Sequence, residues 1–278
     1  MVALGSLTLV QHKSPNRQWW NEVTPRHVDS DFYDVRGFLA GRNTIGVNEL
    51  RALGDITSKR ILHLMCHFGL DTLSLTRMGA EVTGVDFSDR SIEVANRLRK
   101  ESALEQRSKF ICADVLEVTH LMHEKYDIVF TSHGILEWLS DLTSWATAIA
   151  HVLNEDGFFF IMDVHPFSLI FNELSKDAIV PSNSYFRDTH RLDHFDLADY
   201  TDRNYRPESS RTKFLWRIDE ILGALRLSGL VVTEFNEYPF STYQALPIME
   251  QGKDGLWYLP KGCPDIPFYF SLKARLST

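Results

Sequence analysis

Two histidines stand where a sheet would offer them to a ligand: His133 in Thr131-Ser-His-Gly134, and His165 in Asp163-Val-His-Pro166. Each follows a strand-length apolar run, residues 126–131 and 157–162. Open α/β sheets bind ligands at the carboxyl ends of their strands. Histidine titrates near neutrality, so either is a candidate general base. The alternative for both is a neutral imidazole holding its loop. A third group is the carboxylate of Asp86, in Gly84-Val-Asp-Phe-Ser88, about 20 residues after the stretch Ile61-Leu-His-Leu-Met-Cys-His-Phe-Gly-Leu-Asp71. A strand, a tight loop, a helix and then a strand ending in an acid is the geometry of nucleotide or nucleoside recognition. The Asp86 carboxylate can accept two hydrogen bonds from ribose hydroxyls.

Alternating short elements must position these groups. Residues 60–65, 81–85, 109–112, 126–131 and 157–162 are predicted strands; 71–78, 88–100 and 142–153 are predicted helices, the second with Ser88 as N-cap. Asn154-Glu-Asp-Gly157 is expected to end the third helix. Strands alternating with helices imply βαβ units and a parallel sheet covered on both faces. Residues 1–58 carry Trp19, Trp20, Phe32, Tyr33 and Phe38. Residues 165–213 are polar and aromatic without regular periodicity, a length that suits a lid or binding insertion better than a connector. A helix over 215–228 and strands over 230–235 and 267–272 follow. The expected organisation is an N-terminal cap segment (1–58), a core (59–164), an insertion or lid (165–213) and a C-terminal part of the core sheet (214–278).

Composition narrows the classes. The 278 residues are 44% hydrophobic and 24% charged, an ordinary globular mix that excludes a disordered or fibrous chain. A formal charge of −8 and no Lys/Arg run argue against nucleic acid or anionic membrane as partner. No apolar run approaches the ~18 residues of a membrane helix, and the first residues lack a basic start, so no secretory signal is read. Three scattered cysteines, Cys66, Cys112 and Cys263, do not form a disulfide framework, and a reducing cytoplasmic setting is expected. His190-Arg-Leu-Asp-His194 has metal-like residue types without a third ligand and is taken as a solvated loop, so no metal is expected. No pattern sets an oligomeric state.

Residues 60–163, and more weakly 214–272, resemble the class I S-adenosylmethionine-dependent methyltransferases. That family's first motif is acid-x-Gly-x-Gly-x-Gly. Here it is His63-Leu-Met-Cys-His-Phe-Gly69, with only the last glycine present. Ala80-Glu-Val-Thr-Gly-Val-Asp-Phe-Ser88 matches the second strand and its ribose acid. Cys112-Ala-Asp-Val115 matches the third-strand acid that faces the adenine amino group. Tyr126-Asp-Ile-Val-Phe-Thr-Ser132 and Val152-Leu-Asn-Glu-Asp-Gly-Phe-Phe-Phe160 match the fourth strand and the turn into the fifth. The Leu-His-Leu-x-Cys-His-Phe-Gly loop and the Glu-Tyr-Pro-Phe segment at 237–240 resemble a bacterial subgroup of that class.

The resemblance implies a Rossmann-like seven-stranded sheet of order 3-2-1-4-5-7-6, the seventh strand antiparallel, with S-adenosyl-L-methionine as cofactor. The implied cofactor contacts are Cys66, His67, Phe68 and Gly69 in the loop, Asp86 and Phe87 after the second strand, Asp114 and Val115 after the third, and Ser132 and Trp138 after the fourth. Trp20, Phe32 and Tyr33 would close over the cofactor, and aromatic faces suit a sulfonium. His67 is a candidate hydrogen-bond partner of the cofactor's carboxylate. Methyl transfer needs positioning, and needs a base only if the acceptor loses a proton. A covered, aromatic-rich pocket in an acidic chain favours a small-molecule acceptor. Two alternatives stay open: a cyclase or lyase that releases methylthioadenosine, kept by the unusual Met65 and His67, and a non-catalytic S-adenosylmethionine-binding protein. A dinucleotide oxidoreductase is disfavoured by the absent Gly-x-Gly-x-x-Gly.

Overall fold

Three helices come first, α1 (Pro15–Asp29), α2 (Val35–Leu39) and α3 (Val47–Leu53). Strands and helices then alternate: β1 (Arg60–Leu64), α4 (Leu70–Arg77), β2 (Glu81–Asp86), α5 (Asp89–Glu101), β3 (Ser108–Cys112), α6 (Val118–Leu121), β4 (Tyr126–Ser132), α7 (Leu142–Val152) and β5 (Leu153–Val164). A hairpin, β6 (Arg191–His194) and β7 (Arg211–Phe214), precedes α8 (Ile218–Leu227) and β8 (Leu230–Tyr238). Short strands β9 (Phe240–Ser241), β10 (Glu250–Gln251) and β11 (Trp257–Tyr258) lead to β12 (Tyr269–Leu276). This is a computed structural model, and it describes residues 15–187, 189–194 and 198–277. The leader reading of the first residues therefore lies outside the described part. Among the described residues no helix is long and apolar enough to cross a membrane.

The main sheet runs β3-β2-β1-β4-β5-β12-β8. Strands β1 to β5 are parallel to one another, and β12 is antiparallel to both β5 and β8. This is the implied seven-stranded order, with β8 and β12 as its sixth and seventh members. The reversal between β1 and β4 leaves a crevice at the carboxyl ends of the strands, where ligands bind in such sheets. One face packs Val129, Phe159 and Ile161 against Trp145 and Ile149 of α7 and Ile221 of α8. On the other face Ile61, Phe130 and Phe160 meet Ile45 and Leu53 of the N-terminal region and Phe240 and Met249 of the C-terminal one.

Two boundaries differ from expectation. The chain does not turn at 154–157 but enters β5 directly from α7. Tyr126 pairs with Leu153 and Ile128 with Phe158, so the four polar residues form an irregularity in the strand, with Asn154 Nδ2 donating to Asp127 Oδ1 at 2.9 Å. β8 and β12 are longer than the apolar runs that announce them, because mutual pairing from Tyr269–Tyr238 to Leu276–Leu230 extends both.

The loop between β1 and α4 explains the missing glycines. Met65, His67 and Gly69 all have positive φ, 56°, 51° and 81°. These are the three positions at which the family motif carries glycine. The alternating left-handed backbone is retained although two of its residues have side chains. Each such non-glycine residue costs about 1–2 kcal/mol. Gly69 has no such latitude, since a Cβ there would lie 2.5 Å from the Phe110 ring. Gly69→Ala is expected to destabilise the fold by about 2 kcal/mol or more. A urea midpoint equal to that of the unsubstituted protein would contradict this packing.

Candidate active site

A cavity of about 400 Å³ opens at the carboxyl ends of β1, β2 and β4. Its walls take in Cys66, His67, Phe68 and Gly69 from the first loop, and Asp86 and Phe87 after β2. Ser132, His133 and Trp138 come from the end of β4 and the turn beyond, and Trp20, Phe32 and Tyr33 from the N-terminal region. One space thus gathers twelve residues that the sequence placed in five separate segments.

Asp86 is buried at the mouth of β2. Its Oδ2 accepts the His67 N–H at 2.8 Å and its Oδ1 the Ser88 N–H at 2.9 Å. Burial raises its carboxyl to about 6 against these bonds. Each oxygen keeps a lone pair for a further donor. Cys66, also in the wall, is an inert thiol, its pKa pushed well up by burial and then by the Asp86 charge.

His63 stands where the family motif has its acid. It is buried and held neutral, its pKa lowered to about 3 by burial and then by His133. Its Nδ1 meets Thr72 Oγ1 at 2.9 Å and its Nε2 meets Ser132 Oγ at 3.3 Å. The carboxylate of this region comes instead from Asp71, one residue into α4. It accepts from Thr44 Oγ1 at 2.5 Å and Ser132 Oγ at 2.9 Å, and burial raises its pKa. The sequence reading quoted Asp71 as the end of the motif but gave it no role.

His133 is paired with a residue that the sequence reading did not single out. Its Nε2 lies 2.8 Å from Oε1 of Glu49 in α3, and Glu49 is only 3% exposed. Burial opposes charge on both partners, but the hydrogen bond and attraction between them prevail. The His133 pKa is raised and that of Glu49 lowered. With Nε2–H donated to Glu49, Nδ1 carries the free lone pair, and it has no partner among the described residues. The turn holding His133 is fixed by Asp163, whose carboxylate accepts the N–H groups of Gly134, of Ile135 at 3.1 Å and of Leu136 at 3.0 Å. Asp163 is thus a loop anchor.

His165 does not reach the cavity. Its Nε2 lies 3.0 Å from Glu237 of β8, and its Nδ1 accepts the Phe167 N–H at 3.1 Å. It holds the turn after β5 and stands outside the cavity wall. Asp114 and Val115 also stand outside the cavity wall. The Asp114 carboxylate is turned back to accept the Leu116 N–H at 3.0 Å, and Val115 is buried in the core beneath α7. Across the ends of β2 and β3 lies α1 instead, with Arg17 and Asn21 both bonded to Asp89. In the 190–194 stretch, the His190 ring stacks on Trp216 with Nδ1 against the Leu215 carbonyl at 3.0 Å. The side chain of His194 lies outside the described part.

A second buried chain joins distant segments. His27 Nε2 donates to Asp199 Oδ2 at 3.0 Å, both residues being 0% exposed. His27 Nδ1 faces His67 Nε2 at 3.3 Å. Burial works to raise the Asp199 pKa, but the bonds from His27 and Thr201 bring it below its usual value. An ionised Asp199 only accepts, so His27 Nε2 donates to it, and His27 Nδ1 has two neighbours, His67 Nε2 at 3.3 Å and the Tyr200 hydroxyl at 3.4 Å. His67 Nδ1 has no partner among the described residues. Tyr33 stacks on His67 with ring centres 5.4 Å apart, and its hydroxyl bonds to that of Tyr200.

Comparison with known proteins agrees with this geometry. A methyltransferase domain model matches residues 61–157. The chain is 27% identical over 181 residues to the ubiquinone biosynthesis O-methyltransferase of Bordetella avium, covering 64% of this chain and 69% of that protein. It is 28% identical over 179 residues to the mitochondrial ubiquinone biosynthesis O-methyltransferase of Bos taurus, but spans only 47% of it. Among solved structures, the methyltransferase CcbJ of Streptomyces caelestis superposes with a TM-score of 0.62 at 12% identity, covering 95% of this chain and 100% of that one. An S-adenosylmethionine-dependent methyltransferase of Mesorhizobium loti gives 0.58 at 16% identity, covering 85% and 99%. The sheet order and the matched domain define a Rossmann-like methyltransferase. Residues 61–157 form a methyltransferase domain, set in the sheet order of the class I S-adenosylmethionine-dependent fold.

The residues present fit that cofactor. The cavity offers a carboxylate with free lone pairs at Asp86, a second one at Asp71, and several rings in its wall. A ribose diol, an ammonium and a sulfonium are the matching groups.

Proposed function

We propose that the enzyme methylates a small molecule at an atom that must lose a proton, with His133 as general base and Glu49 as the group that orients it. The observation that carries this is the Glu49–His133 pair in the cavity wall. A carboxylate fixes one nitrogen of the ring as a donor, and the other is left basic. The nucleophile's proton passes to His133 Nδ1 as the new bond to the methyl carbon forms. The leaving thioether is neutral and needs no acid. A hydroxyl or phenol meets the requirement; a protonated amine would pass its proton to Nδ1 before the attack.

In this reading Asp86 takes the ribose hydroxyls and Asp71 the ammonium, while the rings of Trp20, Tyr33 and Trp138 face the sulfonium. When bound, the cofactor supplies an electrophilic methyl group; the protein supplies alignment, a base and exclusion of water. Residues 1–58 act as a cap and 165–213 as a lid, supported by the His27–Asp199 bond between them. Three free cysteines support a reducing cytoplasmic setting. The loop keeps its left-handed pattern despite Met65 and His67, so these two residues do not themselves call for chemistry on the cofactor's own carbon chain.

Incubation with S-adenosylmethionine and a panel of small acceptors, followed by mass spectrometry, tests the proposal. S-Adenosylhomocysteine formed together with a product heavier by one methylene unit is the expected result. Methylthioadenosine formed without an acceptor would overturn it.

Cofactor affinity should also follow the ionisation of Asp86. Above about pH 6 its carboxylate accepts from both ribose hydroxyls; below, one oxygen carries a proton. Affinity is therefore expected to weaken as pH falls through 6, approaching about tenfold per unit. Calorimetric titrations from pH 8 to pH 5 measure this, and a flat profile would contradict it.

A further inference from the structure

The cavity wall carries charges of both signs. Its sheet side presents the carboxylates of Glu49, Asp71 and Asp86, which suit a cofactor bearing a sulfonium and an ammonium. The segment 165–213 presents Arg203, Arg211 and Lys213 to the same space, together with one carboxylate, Glu173. Two of these cations are occupied. Lys213 Nζ lies 2.7 Å from Glu137 Oε2, and Arg203 Nη2 donates to the Gln244 carbonyl at 3.2 Å. Arg211 is different. It is 7% exposed, and among the described residues it has neither an ion pair nor a hydrogen-bonded side-chain acceptor. Its guanidinium lies 5.0 Å over the Trp19 ring.

A buried guanidinium without an anion is costly, and it cannot lose its proton to escape that cost. Arg211 is also held in place. It shares one face of β7 with Lys213, since side chains alternate along a strand. Thr212 between them is tied to α1 through both its N–H and its carbonyl, at 2.7 and 2.8 Å from Asn16. The ring beneath supports the plane of the guanidinium and leaves its fork of donors free.

We propose that Arg211 anchors a carboxylate on the methyl acceptor, so that the substrates are small organic acids whose nucleophilic atom is presented to His133. This deepens the function proposed above and rests on it. The carboxylate belongs to the acceptor because Arg211 is set apart from the cofactor loop. Trp19 lies beneath it, Trp20 lies 5.1 Å beyond Trp19, and only then comes His67, 4.9 Å from Trp20. One free cation balances a single negative charge, and its planar fork matches the two oxygens of a carboxylate.

The test is calorimetric binding, in the presence of S-adenosylhomocysteine, of benzoate, phenylacetate, 3-hydroxybenzoate and hexanoate, each beside its uncharged amide. The intact protein is expected to bind at least one acid about tenfold or more tightly than its amide, and Arg211→Gln to abolish that preference. Arg211→Gln should bind S-adenosylmethionine as the unsubstituted protein does, which also reports that the variant is folded. No preference for any acid over its amide up to about 10 mM overturns the proposal. So does a preference that survives in Arg211→Gln. Loss of S-adenosylmethionine affinity in a folded Arg211→Gln assigns the guanidinium to the cofactor's own carboxylate and likewise overturns it. If the acids show no preference while neutral acceptors are methylated in a His133-dependent way, this inference alone fails. Failure of the unsubstituted protein to methylate any acceptor would instead count against the underlying function.

Discussion

His133→Asn is expected to lower kcat by about 10²–10⁴-fold while leaving the affinity for S-adenosylmethionine within about threefold of normal. Asparagine is the suitable replacement because His133 has φ 46°, and asparagine tolerates the left-handed region better than most residues. The substitution removes the base without distorting the turn held by Asp163. A companion substitution, Glu49→Gln, separates base from orienting group. Glu49 holds the His133 pKa above its ordinary value, so kcat/KM should rise with pH through that value as the imidazole becomes neutral. Without the carboxylate charge this limb moves to lower pH. Glutamine can also donate to Nε2 and trap the wrong tautomer, so the plateau should fall as well. A His133→Asn enzyme with normal kcat, or a pH profile indifferent to Glu49, would remove the dyad from catalysis.

Asp86→Ala is expected to weaken cofactor binding by about 10²–10⁴-fold. Two charge-assisted hydrogen bonds to ribose hydroxyls are lost at about 1.5–3 kcal/mol each. The substitution also leaves the N–H groups of His67 and Ser88 without their acceptor, loosening the loop that faces the cofactor. Asp86→Asn retains an acceptor oxygen but not the charge and should fall between the two. Calorimetry with S-adenosylhomocysteine measures all three proteins without a known acceptor. An alanine variant that binds normally would displace Asp86 from the ribose site.

The sheet was legible because its signals are local. Apolar runs of strand length, Ser88 as N-cap and the acid at the end of β2 all announce themselves within a few residues. The cofactor side of the cavity followed, since β1, β2 and β4 deliver their loop residues to one edge. The polar partners were not legible. Glu49 looks like any exposed helical glutamate until α3 folds beneath His133. His27, Asp199 and Arg211 acquire meaning only when α1 and the segment before α8 meet across the sheet. His165 shows the converse: its place at the end of β5 was foreseen, but the direction of its ring depends on Glu237, far along the chain. Asp114 stands apart from the cavity for a local reason, because its carboxylate satisfies its own turn.

The bond between His27 and Asp199 bears on exchange. The two residues stand 172 positions apart, and each belongs to a segment that walls the cavity. Neither touches water. Under the proposed cap and lid, departure of a spent cofactor would require the two segments to part, and a carboxylate and an imidazole to be rehydrated as they do. On that proposal, residence time would be set at a contact remote from the methyl group: a weaker latch would raise throughput and admit solvent, and a stronger one would protect the reaction and slow its renewal.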